Sequence, residues 1–197
     1  MSLHRFSVAN VINAHWKGLS KPARDGEAPE PDKVARLVLV LAPLMAGITM
    51  FGFQVQLTSP AIIVAALSLL TGALLTVFTQ LSTLRLKLTE WYDRDDVDRR
   101  PDKDSIDESV AHVLVAALVS ISATIVAVFA IALGDEGAPA LRGVVAAITV
   151  ALITYVLLLL IMLIPRLYGA YASVHDVADE LNGQITDRTN RHMRRLN

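Results

Sequence analysis

The residues best equipped for chemistry stand between Asp93 and Glu108, where "DRDDVDRRPDKDSIDE" crowds carboxylates with arginine and lysine. A divalent cation would need oxygen ligands at set intervals around a tight turn. Counting from Asp93, the fifth position is Val97, the position reserved for glycine is Asp98, and Asp104 stands where glutamate is preferred. The segment therefore reads as a solvated, self-neutralising loop rather than a calcium loop. His112 and His175 are isolated, with no His-x-x-x-His or His-Glu spacing for zinc, and the chain has no cysteine for thiolate ligation or a disulfide. No nucleophile elbow, phosphate-binding glycine loop or pair of intramembrane carboxylates occurs, so the chain reads as a non-enzyme without cofactor or metal. At the other end Arg188, Arg191, Arg194 and Arg195 cluster in "RTNRHMRRLN". Anionic lipid headgroups are the default partner of such a cluster, and a nucleotide-type signal is the sharper alternative, because guanidinium forks match phosphate geometry.

A second pattern is quieter. In "SLLTGALLTVFTQLSTLRLK", Ser68, Gly72, Thr76, Thr79 and Thr83, preceded by Ala61 and Ala65, fall within an arc of about 80° on an ideal helix. Glu90 lies on the continuation of that arc and Lys87 beside it. Hydroxyls on one face of a lipid-embedded helix have two uses. They line a water-filled path, with the charged pair at its mouth, or they pack against another helix that small residues let come close. Leu75 and Phe78 flank the stripe and are candidates for a hydrophobic gate. In the next span, Ser109, His112, Ala116, Ser120, Ala123, Ala127, Ala130 and Gly134 form a less polar strip of mostly small residues, suited to packing.

These residues are carried by long apolar stretches. Over half of the chain is apolar (53%), and Leu37 to Phe53, Ala61 to Leu84, Val110 to Leu133 and Gly143 to Ile164 are each nearly uncharged. A helix needs about 20 residues to cross the hydrocarbon core. The expected fold is all-α and polytopic: four transmembrane helices arranged as two hairpins, with the second and fourth spans continuing into the cytoplasm. Of 18 lysines and arginines, all but Arg142 fall in the amino-terminal segment, the central loop or the tail. The positive-inside rule then puts both termini in the cytoplasm. The segment before the first span is too interrupted by polar residues to read as a cleaved signal peptide.

Three regions follow. Residues 1–33 hold a cytoplasmic amphipathic helix, with Val8, Ile12, Trp16 and Leu19 on one face, and a Pro- and Gly-containing linker. That helix lies in the headgroup region or packs on the cytoplasmic side of a bundle. Residues 34–165 hold the four spans, with the charged loop and helix extension at 85–109, where "SIDE" (Ser105 to Glu108) fits a capping box. Pro43 and Pro165 are expected to bend their helices. Residues 166–197 form a further helix with a heptad-like seam, Leu167, Tyr171, Val174, Ala178, Leu181 and Ile185, followed by the basic tail.

No Asp, Glu, Lys or Arg lies in the middle of a span, which argues against proton-coupled transport and voltage sensing but leaves a passive pore open. The leading expectation is a homo-oligomeric membrane pore or ion channel gated from the cytoplasmic side. The alternative is a membrane-anchored sensor or scaffold that recruits a soluble partner through its cytoplasmic helices. A net charge of −1 gives no general attraction to nucleic acid. This layout of four spans and long inner helices resembles the small membrane effector and channel subunits of bacterial anti-phage defence, of the Hailong type. The resemblance lies in the general layout of the whole chain and carries over no functional residue. It implies residence in the bacterial inner membrane, and permeabilisation of that membrane when a cytoplasmic nucleotide-type signal changes.

Overall fold

The computed structural model describes residues 8–20, 30–91, 100–133 and 141–174. They form five helices: α1 (Ala9–Gly18), α2 (Lys33–Gly52), α3 (Pro60–Trp91), α4 (Arg100–Ala132) and α5 (Gly143–Val174). The last four are long and apolar enough to cross a membrane, and the chain is an all-α membrane protein. In hydrocarbon no water is at hand for backbone amides and carbonyls, so apolar runs of this length satisfy them within the helix. Among the described residues the only β pairing is two isolated bridges, Ser20 with Pro31 and Leu57 with Leu141.

Local signals set several of the boundaries. Asp32 caps α2, its Oδ1 accepting from the amides of Val34 and Ala35 at 3.1 Å each. Pro60 opens α3, where a missing N–H costs nothing. Both α2 and α5 continue as single helices through Pro43 and Pro165. The capping box expected at Ser105 does not mark the start of the helix. α4 begins earlier, at Arg100 with Pro101 in its first turn, so Ser105 is interior and the Glu108 carboxylate turns to a different partner. The heptad-like seam is described only as far as Val174. Ala178, Leu181 and Ile185 lie outside the described residues, as do Arg188, Arg191, Arg194, Arg195 and His175.

Packing does not follow chain order. α3 lies on α4, α4 on α5, and α5 on α2, while α1 packs on α4. Of the expected hairpin partners, α4 and α5 are packed neighbours, whereas the main neighbour of α2 is α5. A reason is visible at Gly47, where a Cβ would come within 3.1 Å of the Ala147 carbonyl oxygen and 3.3 Å of the Ala151 Cβ. A glycine on α2 facing alanines on α5 lets the two backbones approach more closely than any larger residue would. The two interhelical turns on the far side are tied together, Leu57 and Leu141 exchanging backbone hydrogen bonds at 3.1 Å in both directions. The larger core cluster runs through Leu39, Leu74, Leu81, Val113, Leu159 and Leu163, and Leu19 at the end of α1 belongs to it.

Candidate functional site

The stripe on α3 faces away from its own bundle. Leu67, Leu74 and Leu81, spaced by sevens, are buried against the rest of the molecule, while Ser68, Gly72, Thr76, Thr79 and Thr83 are all exposed. Nothing lies within 4 Å of where a Gly72 Cβ would stand, so internal packing does not require that glycine. Thr76, Thr79 and Thr83 donate to the carbonyls of Gly72, Leu75 and Thr79, each at 3.0 Å. With the hydroxyl proton used inside the helix, the oxygen lone pairs are what the face presents. Leu75 is exposed beside the stripe, whereas Phe78 is half-buried against the core. Lys87 is exposed, and Glu90 falls on α3 beyond the last described side chain.

The small-residue strip of α4 does the opposite. Ser109, His112, Ala116, Ser120, Ala123 and Ala127 are all buried and Ala130 is half-buried, while Gly134 lies outside the described residues. Ser120 donates to the Leu67 carbonyl at 3.1 Å and receives the Thr71 hydroxyl at 3.0 Å, so between α3 and α4 these two hydroxyls bond across the contact, whereas Thr76, Thr79 and Thr83 of the stripe bond within their own helix. A groove between α2 and α5, flanked by Leu44, Ile48 and Phe51 on one side and Val144 and Ile148 on the other, is almost wholly hydrocarbon and offers no polar chemistry.

Polar chemistry gathers where α1 meets the bundle. The face of α1 that turns inward carries Val11, His15 and Leu19; of the expected face Val8, Ile12, Trp16 and Leu19, Leu19 is buried and Trp16 half-buried against the core, while Val8 and Ile12 are exposed, so the helix is turned partway from the expected orientation. The rotation is permitted because His15, 1% exposed, finds a polar partner inside: its Nε2 hydrogen-bonds the Tyr155 hydroxyl of α5 at 3.1 Å. Its ring meets that of His112 on α4 edge-on, with centroids 4.6 Å apart. Arg166 of α5 joins the group. It forms an ion pair with Glu108, places Nη1 3.3 Å from His112 Nε2, and donates through Nη2 to the Gly18 carbonyl at 3.3 Å. A guanidinium can only donate, so His112 Nε2 is the acceptor and that ring carries its proton on Nδ1.

Arg36 of α2 completes the arrangement, donating through Nη2 to the Trp16 carbonyl at 2.5 Å and through Nε to the Leu19 carbonyl at 3.2 Å. The last carbonyls of a helix lack intrahelical partners and form its negative pole. Two arginines from two different spans thus cap the end of α1. Gly18 allows the approach, since a Cβ there would collide with Glu108 Cγ and fall 3.0 Å from His112 Cε1.

Burial, with the nearby Arg166 cation adding, holds the His15 imidazole down to about 4, so it is neutral at pH 7. The Nδ1 atoms of both histidines are buried without a hydrogen-bond partner among the described residues. The cluster is a latch in chemical terms: its donors are spent on α1 carbonyls and on one another. Nothing in the sequence spacing announces it, because its members are drawn from four helices and His15 and Tyr155 stand 140 positions apart. The one available signal was a histidine interrupting the Val11 to Leu19 strip. Among the described residues no group of three or more His, Cys, Asp or Glu side chains is placed to hold a metal ion. Compared with known protein families, curated proteins and solved structures, the chain matches none.

Proposed function

We propose that the chain is one subunit of a homo-oligomeric membrane pore gated from the cytoplasmic side. The observation that carries this reading is the exposure of the whole α3 stripe, Ser68, Gly72, Thr76, Thr79 and Thr83, on a span that packs on its neighbours through the opposite face. A helix facing only lipid gains nothing from this row of small and hydroxylated residues. Facing other copies around an axis, it offers acceptor oxygens that stand in for part of an ion's hydration shell. Leu75, exposed beside the stripe, narrows the path with hydrocarbon, and Lys87 and Glu90 stand at its mouth. With both termini in the cytoplasm by the distribution of lysine and arginine, α1 and the inner ends of α3 and α5 are the elements that a cytoplasmic signal would reach. The resemblance in layout to Hailong-type effectors, read from the sequence, extends the proposal to an anti-phage defence channel of the bacterial inner membrane, opened when a nucleotide-type ligand or a soluble partner acts on those inner elements.

The test is single-channel current from the purified protein in a planar bilayer, with Thr79→Leu alongside. Discrete openings whose conductance differs in the variant are expected. Silence from folded, correctly oriented oligomer, persisting after a cytoplasmic extract is added, overturns the reading in favour of a membrane-anchored sensor or scaffold. A variant that changes assembly but not conductance returns the stripe to helix packing.

A further inference from the structure

We propose that α1 is an acid-released latch, held on the base of the bundle while the His15 and His112 rings are neutral and freed when they take up protons. The geometry is that of a site with room for one cation and no more. Arg166 already stands in it, balanced by the Glu108 carboxylate. His15 is sealed between α4 and α5, ring to ring with His112 and bonded to Tyr155, which offers a neutral hydroxyl. A second proton on His15 would sit on Nδ1, which has no acceptor, or on Nε2 facing that hydroxyl. A second proton on His112 would sit on Nε2, facing the Arg166 donor 3.3 Å away. Either proton adds a positive charge to a buried site that already holds a guanidinium, a penalty that release of α1 to water relieves.

The other groups around His15 offer no relief. On its own helix Lys17 is exposed and cationic, and Trp16 meets the ring edge-on at 5.7 Å. From α2 comes another cation, Arg36, bound to the Trp16 and Leu19 carbonyls. From α4 come His112 and Glu108, and from α5 Tyr155 and Arg166. α3 contributes its Arg85 to a forked pair with Asp107, at 3.0 and 3.3 Å, which leaves that exposed carboxylate engaged. The depressed affinity of His15 for protons comes first from its burial and second from the Arg166 cation. In the released state both imidazoles regain water and His15 its ordinary proton affinity, so protons drive the equilibrium toward release by linkage.

The experiment measures a distance, so its outcome is independent of whether the bundle conducts. The natural chain has no cysteine, and Asn10 on α1 and Leu86 on α3 are both exposed. Asn10→Cys and Leu86→Cys are spin-labelled on the full-length protein in phosphatidylcholine nanodiscs. Pulsed dipolar spectra are then recorded between pH 7.5 and 4.5. A narrow distribution is expected at pH 7.5, giving way on acidification to a broad one, with the released-to-docked ratio rising roughly tenfold or more. His15→Gln with His112→Gln, which keeps hydrogen-bonding groups but cannot take up a proton in this range, is expected to hold the narrow distribution at pH 4.5. An unchanged wild-type distribution at pH 4.5 overturns the proposal. Release of the double variant at the wild-type midpoint also overturns it, assigning the trigger to Glu108. Should the double variant not fold, Tyr155→Phe decides: loss of the hydroxyl weakens docking and moves the midpoint to higher pH, and an unmoved midpoint rejects the latch.

Discussion

The hydroxyls of Thr71 and Ser120 meet 3.0 Å apart between α3 and α4, and Ser120 in turn donates to the Leu67 carbonyl at 3.1 Å. Besides the exposed Arg85–Asp107 pair, this polar contact joins the most exposed span to the most buried one: 11% of the α3 window is buried against 33% of the α4 window. Removing it should loosen α3 without altering the stripe on its other face. In a double-mutant cycle with Thr71→Val and Ser120→Ala, each single substitution is expected to destabilise the protein by about 0.5–1.5 kcal/mol, with a coupling of about 0.6 kcal/mol. Unfolding in mixed micelles reads these values. Thr76→Val, whose hydroxyl bonds only within its own helix, should be close to neutral, and a Thr76→Val effect as large as that of Ser120→Ala would show that the stripe is already packed in the assembly.

Gly18 is the tightest point of the α1 seat. Gly18→Ala places a methyl group against Glu108 Cγ and His112 Cε1, both on α4. Overpacking of this kind costs about 1–3 kcal/mol, and here it falls on the docking of α1. Hydrogen exchange should show faster exchange across Ala9–Gly18 in the variant while α4 and α5 stay protected. Exchange unchanged in α1 would mean that the Glu108 side chain moves aside without cost.

The pH dependence of stability follows from the sign of the His15 shift. Its proton affinity is lower in the folded protein, about 4, than the ordinary 6.5 of the unfolded chain, so between these values the unfolded state binds more protons. Stability is therefore full above pH 6.5 and declines as pH falls toward 4. Between pH 7 and pH 5 the loss should be about 1–2 kcal/mol, and His15→Gln should flatten it. Equilibrium unfolding of both proteins across that range makes the comparison, and parallel slopes would remove His15 as the source.

What the sequence alone determined is the class of the protein and its four crossings. Uninterrupted apolar length is a local property, and lipid forces such a stretch into a helix whatever surrounds it. The strip of small residues on α4 was legible for a related reason, since close helix contact demands small side chains at fixed spacing. Which helix lies on which was decided only by the tertiary structure. Lipid tails are as apolar as leucine, so the pattern of Leu, Val and Ile in α2 and α5 does not mark the packed face, and the decisive contact is Gly47 against Ala147 and Ala151. The α1 seat was hidden more deeply. Read alone, His15 is a polar interruption, and the helix is turned by one residue to bury the stronger apolar row. Only when Tyr155, His112, Glu108, Arg166 and Arg36 arrive from three other helices does burying a histidine become the better arrangement, because every step of that exchange depends on partners that no local spacing encodes.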